Sequence, residues 1–352
     1  MSRFFTESLS ALQPYVPGEQ PQDMQYIKLN TNESPFPPAP GVIQAISSAE
    51  VERLYLYSDP DCKALIESVA KRFGLRSEQV TVGNGSDEVL WFALRAFCDE
   101  KTPLAYNDIT YGCYKTWCGL LNVPSRILPL KDDYAIDLSL YDNLQATVMV
   151  TNPNAPTGIC LNLGQIEGIL RSNPDNVVIV DEAYVDFGGK SAVSLIDQYD
   201  NLLVVQTCSK SRSLAGARLG FAMGNPELIA DLNRIKFSFN PYNVNRLTCL
   251  AGIAAMEDEA YFNRCTKAVA DTRDRMAEAL KQMGFTVTDS KANFLFAESG
   301  RIPGKELYLK LKERGILVRH FDKPRLENRL RITVGSDQQM DALLTALRQL
   351  GA

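Results

Sequence analysis

The sequence predicts an open, mainly parallel α/β sheet flanked by helices, followed by a smaller α+β domain. Three observations carry that reading. Short apolar runs alternate with amphipathic helical stretches through the first two thirds of the chain. Four polar, chemically distinctive motifs stand at the ends of those runs, where ligands collect in open parallel sheets. After "FNPYNVN" (239–245) the pattern changes to a long helical stretch followed by the short strands "ILVRHF" and "RLRITVG".

The elements follow in order. Residues 1–40 are rich in proline and glycine, as in "QPYVPGEQPQ" and "TNESPFPPAPG", and read as an extended arm that joins the small domain. The large domain is expected over 41–245. It has helices at 41–49 and 61–73, a strand at 80–82 and a long apolar helix at 86–97. Strands follow at 104–106, 125–130, 147–150, 177–180 and 202–205, with helical stretches between several of them. These runs are apolar on both faces, as buried parallel strands are. The small domain is expected over 246–352, with helical sequence at 244–283, a helix at 305–314 and a closing helix at 337–350.

Composition narrows the function. A chain of 352 residues is long enough for two domains with a large core. The net charge of -5 is interspersed, and no Lys/Arg-rich run suggests a nucleic-acid or membrane face. Small molecules and other protein chains are the expected partners. The N-terminal stretch has no continuous apolar core and no later run reaches 18 apolar residues, so a cytoplasmic location is expected. Eight cysteines without a CxxC pair read as reduced thiols, and no metal site is expected. His320 is the single histidine, which removes most His-based chemistry.

The motifs at the strand ends each admit a structural and a chemical reading. In "TCSKSRSLAGARLGF" (207–221), Lys210 is either a loop lysine or an amine held to form a Schiff base, with Thr207, Ser209 and Arg218 gripping an anion beside it. "VTVGNGSDEVL" (80–90) places a glycine turn before a helix start, which is either a capped helix or an anion site made by free N–H groups. "VVIVDEAYVDF" (177–187) runs an apolar strand into Asp181, a carboxylate that caps the turn or faces a cation such as a protonated pyridine nitrogen. "TNPNAPTGICL" (151–161) is a proline-locked loop whose amides shape a turn or bind a flat ligand.

Taken in order, "PYVPGEQP", "LNTNESP", "YSDPDC", "GNGSDE", "TYGCY", "NPNAPTG", "DEAYVDF", "SKSRSLAGARLGF", "PYNVN" and "LRITVG" resemble the histidinol-phosphate aminotransferases. These are class II aminotransferases of the pyridoxal-phosphate-dependent fold type I, and the resemblance runs from about residue 10 to the C-terminus. It implies that Lys210 carries pyridoxal 5'-phosphate as a Schiff base, that Asp181 pairs with the pyridine nitrogen, and that Tyr184 bonds the ring hydroxyl. It implies that Tyr111 stacks on the ring and that Ser86, Asp87, Thr207, Ser209 and Arg218 hold the phosphate. Tyr57 would reach the cofactor of a neighbouring subunit, which implies a homodimer. Arg331, with Arg319 and Tyr15, would hold the anionic group of each substrate. One departure stands out: the family's loop asparagine is Ala155 here, and Asn154 is the expected substitute, with Asn152 the other choice.

The activity so implied is ping-pong amino transfer between L-histidinol phosphate and 2-oxoglutarate, a step of histidine biosynthesis. Three rivals stay open on the residues. They are an aromatic amino-acid aminotransferase, a phospho-amino-acid decarboxylase on the same cofactor, and a non-catalytic nucleotide-binding α/β protein.

Overall fold

The computed structural model describes residues 5–6 and 9–352; the rest of the expected arm, residues 1–4 and 7–8, lies outside the described residues. The arm contributes the short strand β1 (Ile27–Lys28) and leads into two short helices, α1 (Pro40–Ala45) and α2 (Ser48–Val51). These divide the stretch expected as one helix. Helix α3 (Lys63–Phe73) ends on Gly74 at φ 68, a left-handed C-cap that glycine adopts without strain.

A seven-stranded sheet follows. It contains β2 (Val80–Gly83), β3 (Leu104–Asn107), β4 (Ser125–Leu128), β5 (Thr147–Thr151), β6 (Val178–Asp181), β7 (Leu202–Thr207) and β8 (Gly220–Gly224), in the spatial order β2-β8-β7-β6-β5-β3-β4. Every pairing is parallel except the two made by β8. The sequence reading missed β8, because "GFAMG" is short and bounded by glycines, which weaken strands. Its glycine is needed where it stands: a Cβ on Gly220 would meet the Ser86 nitrogen at 2.2 Å.

Between the strands run α4 (Ser86–Phe97), α5 (Cys113–Leu121) and α6 (Leu163–Ser172). Side-chain alternation splits the sheet's two faces. Val178, Val180, Leu202 and Val204 enter one core layer, while Ile179, Leu203 and Val205 enter the other with α4 and α5. Both layers are covered, so the strands read as unbroken apolar runs. Each buried Val or Ile contributes about 1.5–3 kcal/mol to holding the strand ends in place.

Helix α7 (Pro226–Phe239) packs beside α4. The helical stretch expected at 244–283 is two helices, α8 (Arg246–Glu257) and α9 (Glu259–Gln282), separated at Asp258, whose side chain accepts the Tyr261 N–H and caps α9. Ala251, Ala255 and Met256 of α8 pack into the core of the large sheet. The C-terminal part holds β9 (Phe285–Val287), β10 (Phe294–Ser299), α10 (Gly304–Glu313), β11 (Ile316–Leu317), β12 (Arg319–His320), β13 (Arg329–Thr333) and α11 (Asp337–Leu350). Strands β12-β13-β10-β9 form an antiparallel sheet with its own core against α9, α10 and α11. Strand β1 pairs in parallel with β11, Ile27 opposite Ile316, so the arm is stitched to the C-terminal part.

Candidate active site

Parallel register brings Thr151, the last residue of β5, level with Asp181, the last residue of β6, and Asp181 level with Val205. Strand β7 continues two residues further, to Thr207, and turns into Ser209 and Lys210. These ends open onto a cleft at the carboxyl edge of the sheet. The start of α4, Arg218, Tyr111 and Tyr184 also line it.

The α4 side is built for an anion. Four N–H groups at a helix start lack intrahelical partners and carry the positive end of the helix dipole. Arg218 donates to Oδ2 of Asp87 and to Oγ of Ser209, both at 3.3 Å, and Thr207 Oγ1 accepts the Ser209 N–H at 3.2 Å. Gly85 adopts φ 85, and a Cβ there would meet Arg218 Nη2 at 2.5 Å, so the arginine lies directly on the glycine turn. Arg218 itself adopts a left-handed φ of 55 to do so.

Asp181 lies at the floor, 4% exposed. Its Oδ1 accepts the Ala183 N–H at 3.2 Å and its Oδ2 accepts the Tyr114 hydroxyl at 2.5 Å. Burial raises its pKa to about 6, against the pull of the Tyr114 hydrogen bond. No arginine or lysine forms an ion pair with it among the described residues, so the floor offers a carboxylate to a cation not supplied by the chain.

Lys210 has the converse problem. Among the described residues its Nζ donates only to the Thr31 carbonyl, at 3.3 Å, and stands 5.9 Å from the centre of the Tyr184 ring. Burial lowers its pKa to about 8, helped by the positive charge of Arg331. The neutral amine, the form that attacks a carbonyl, is thus reachable near physiological pH.

Tyr111 donates to Asp87 Oδ1 at 3.0 Å, which holds its ring over the cleft, and Tyr15 of the arm meets that ring edge-on at 5.8 Å. The Tyr184 hydroxyl accepts from Nδ2 of Asn32 at 2.9 Å. Asn32 is buried, adopts a left-handed φ of 55, and also receives bonds at its carbonyl and Oδ1 from Asn293 and Thr333. The sequence reading gave Asn32 no role. Its signal lay in "LNTNESP", but nothing local ties that segment to a tyrosine 152 positions away.

Arg331 donates through Nη2 to the Asn30 carbonyl at 2.9 Å and lies over the rings of Phe294 and Phe321. Its buried Nε has no hydrogen-bond partner among the described residues, which leaves a donor available on the guanidinium. Arg319 holds the arm instead, donating to the carbonyls of Val16 and Pro17 at 3.0 and 3.1 Å.

Two expected residues lie off the cleft. Asn154 is behind its wall, donating to the Ile109 carbonyl at 3.0 Å and to Thr157 Oγ1 at 3.1 Å, while Ala155 lines the cavity. The Asn152 amide is likewise spent, on both backbone groups of Leu161. Tyr57 is 80% exposed and stacks on Tyr242 at 4.5 Å.

The donor set can hold an anionic group at α4, a cation such as a protonated ring nitrogen at Asp181, and a carbonyl within reach of the Lys210 amine. A family model described as "Aminotransferase class I and II" matches residues 24–347 of the chain. The chain belongs to this family. Among aminotransferases similar to it is the histidinol-phosphate aminotransferase of Marinomonas sp. (strain MWYL1), 52% identical, with 99% of this chain and 100% of that protein covered. That of Clostridium acetobutylicum (strain ATCC 824) is 47% identical, with 99% of each covered. Among solved structures, histidinol-phosphate aminotransferase from Sinorhizobium meliloti in complex with pyridoxal-5'-phosphate superposes with a TM-score of 0.89 at 25% identity, covering 100% of this chain and 98% of that one. The fold is that of these aminotransferases.

Proposed function

We propose that the chain is a pyridoxal-phosphate-dependent aminotransferase that moves an amino group between L-histidinol phosphate and 2-oxoglutarate, working as a homodimer in the cytoplasm. One observation carries the reading: a buried lysine of lowered pKa, a buried unpaired carboxylate and a helix-start anion site share one cleft. The histidinol-phosphate aminotransferases at 52% and 47% identity support the substrate.

When bound, the cofactor supplies a carbonyl that exchanges amines and a pyridinium ring that spreads the negative charge left on Cα when a proton leaves. The chain's own groups do the rest. Asp181 holds the ring nitrogen in its protonated form. Tyr184, fixed by Asn32, would donate to the ring oxygen, while the amides of Asn154 and Asn152 beside Ala155 are spent on other groups. Tyr111 covers one ring face. The backbone N–H groups of Ser86 and Asp87, the hydroxyls of Thr207 and Ser209 and the guanidinium of Arg218 would hold the phosphate. Lys210, neutral above about pH 8, supplies the amine that holds the cofactor and moves the Cα proton. Arg331 offers its free Nε to a carboxylate or a phosphate, with Tyr15 and Arg319 keeping the arm over it.

The dimer rests on exposed surface. Leu54, Tyr55, Leu56 and Tyr57 are all exposed apolar or aromatic side chains in one short stretch, and Tyr57 stacks on the exposed Tyr242, which supports burial of this stretch against a second subunit. Solution mass should read twice the chain mass. No helix among the described residues is long and apolar enough to cross a membrane.

Borohydride reduction followed by peptide mapping tests the cofactor: the added mass is expected on Lys210, and its absence sinks the reading. Half-reaction spectra with histidinol phosphate, phenylalanine, tyrosine, glutamate and threonine phosphate test the substrate. Histidinol phosphate and glutamate are expected to convert the cofactor; conversion by phenylalanine and not histidinol phosphate would replace the assignment.

A further inference from the structure

Behind Asp181 lies a line of hydroxyls that the reaction outlined above leaves unused. Oδ2 of Asp181 meets the Tyr114 hydroxyl at 2.5 Å, Tyr114 meets Thr151 Oγ1 at 2.9 Å, Thr151 meets Thr110 Oγ1 at 2.9 Å, and Thr110 meets Asn154 Oδ1 at 2.9 Å. Tyr114 is fully buried, and Thr151 and Asn154 are nearly so. The far end is an acceptor only. The Asn154 Nδ2 faces the Ile109 carbonyl, which fixes the amide's orientation and leaves Oδ1 toward Thr110.

Counting hydrogens gives the line a direction. Four gaps separate five groups, and the three hydroxyls carry one hydrogen each. With Asp181 ionised, three hydrogens fill three gaps. The charge draws the donors toward itself, so Thr110 donates to Thr151, Thr151 to Tyr114 and Tyr114 to Asp181, and the gap at Asn154 stays empty. With Asp181 protonated, a fourth hydrogen is available and every donor turns round: Asp181 to Tyr114, Tyr114 to Thr151, Thr151 to Thr110, Thr110 to Asn154. All four gaps are then filled.

We propose that Tyr114 is a positioning residue for Asp181, and that its hydroxyl, with those of Thr151 and Thr110, forms a wire whose donor direction reverses with the charge of Asp181. This rests on the reading of Asp181 as the partner of the cofactor's ring nitrogen. Tyr114 then stabilises the carboxylate that the ring needs, while the far half of the wire favours the protonated form. The balance between the two sets how readily Asp181 gives up its proton when the site fills. Other groups facing Asp181 are Asp87 from α4, Tyr111 ahead of α5, Tyr184 beyond β6, and the cations Lys210 and Arg218, of which Arg218 is already paired with Asp87.

The wire predicts opposite effects at its two ends, and the test reads them without turnover. In cofactor-free full-length protein, infrared difference spectra against pH should show a carboxylic-acid band that D181N removes and that titrates near pH 6. Y114F removes the hydrogen bond to the carboxylate, so the midpoint should rise by about one pH unit, roughly tenfold in proton affinity. T110V leaves two hydroxyls for two gaps, so protonation no longer gains an extra bond and the midpoint should fall. A structural loosening that admits water would lower the midpoint in both variants. A Y114F midpoint that stays or falls, or a T110V midpoint that stays or rises, overturns the wire. With pyridoxal phosphate added, Y114F should weaken binding roughly tenfold by absorbance titration. Wild-type protein that takes up no pyridoxal phosphate would refute the cofactor reading instead, and the infrared midpoints would still decide the wire.

Discussion

The floor and the roof of the cleft are built by different means. The floor, from Thr151 through Asp181 to Thr207, consists of strand ends fixed by parallel pairing and by core layers on both faces. The roof, from Tyr15 through Asn32 to Arg331, joins segments some 300 residues apart through side chains that bond backbone carbonyls, as Arg331 does to Asn30 and Arg319 to Val16. In the proposed function, the chemistry that must not move falls to the floor, and recognition, which must admit and release a substrate, falls to the roof. The two should therefore fail differently when altered.

The largest effect is expected on the floor. Lys210→Ala should lower kcat by about 10²–10⁴-fold, the usual contribution of a positioned acid–base group, while leaving the melting temperature unchanged or higher. A loss confined to KM would move Lys210 to the roof class. Arg331→Ala should weaken glutamate and histidinol phosphate alike by roughly 10- to 150-fold in kcat/KM, the scale of one charge-assisted hydrogen bond. If only one substrate suffers, the two anions do not share the site.

The pH response separates the two regions again. Lys210 has its pKa lowered to about 8, so the free amine accumulates as pH rises through that value. Uptake of pyridoxal phosphate by cofactor-free protein should climb with a midpoint near pH 8 and then level off; a midpoint near the ordinary 10.5 would mean that the amine is not buried in solution. The same shift affects stability. Between about 8 and 10.5 the unfolded chain holds a proton that the folded site refuses, so cofactor-free protein should gain stability as pH rises across that window. The smallest effect on turnover is expected from Asn32→Ala, which removes the bond to Tyr184 together with the acceptor of the Thr333 hydroxyl and should cost about 0.5–1.5 kcal/mol in transition-state stabilisation, measured as kcat/KM.

The same contrast explains what was legible in the sequence. The floor could be read because an apolar run that ends in a charged residue is a local pattern: "VVIVD" pointed to Asp181, and the run into "TCSK" pointed to Lys210. The sheet class followed from the same runs. The roof was not local. Asn32 owes its place to Thr333 and Asn293, which no spacing in "LNTNESP" reveals. Asn154, one position from the missing amide, was a reasonable substitute by sequence alone, but the turn points its side chain at Ile109 and Thr157 behind the wall. Strand β8 escaped notice because its bounding glycines answer to close neighbours, Gly220 to the backbone at the start of α4 and Gly224 to Leu202 and Leu203 of β7, rather than to strand propensity. The break at Asp258 is a single capping contact inside an otherwise continuous helical pattern.

Arg218 occupies a backbone conformation in which an ordinary residue costs about 1–2 kcal/mol and glycine almost nothing. Its ion pair with Asp87 is half exposed and returns little of that. A library at this codon sorted by heat resistance alone should therefore drift toward glycine, and one sorted by growth without added histidine should keep arginine. The disagreement between those two sortings would measure how much fold stability this position gives up to hold a phosphate.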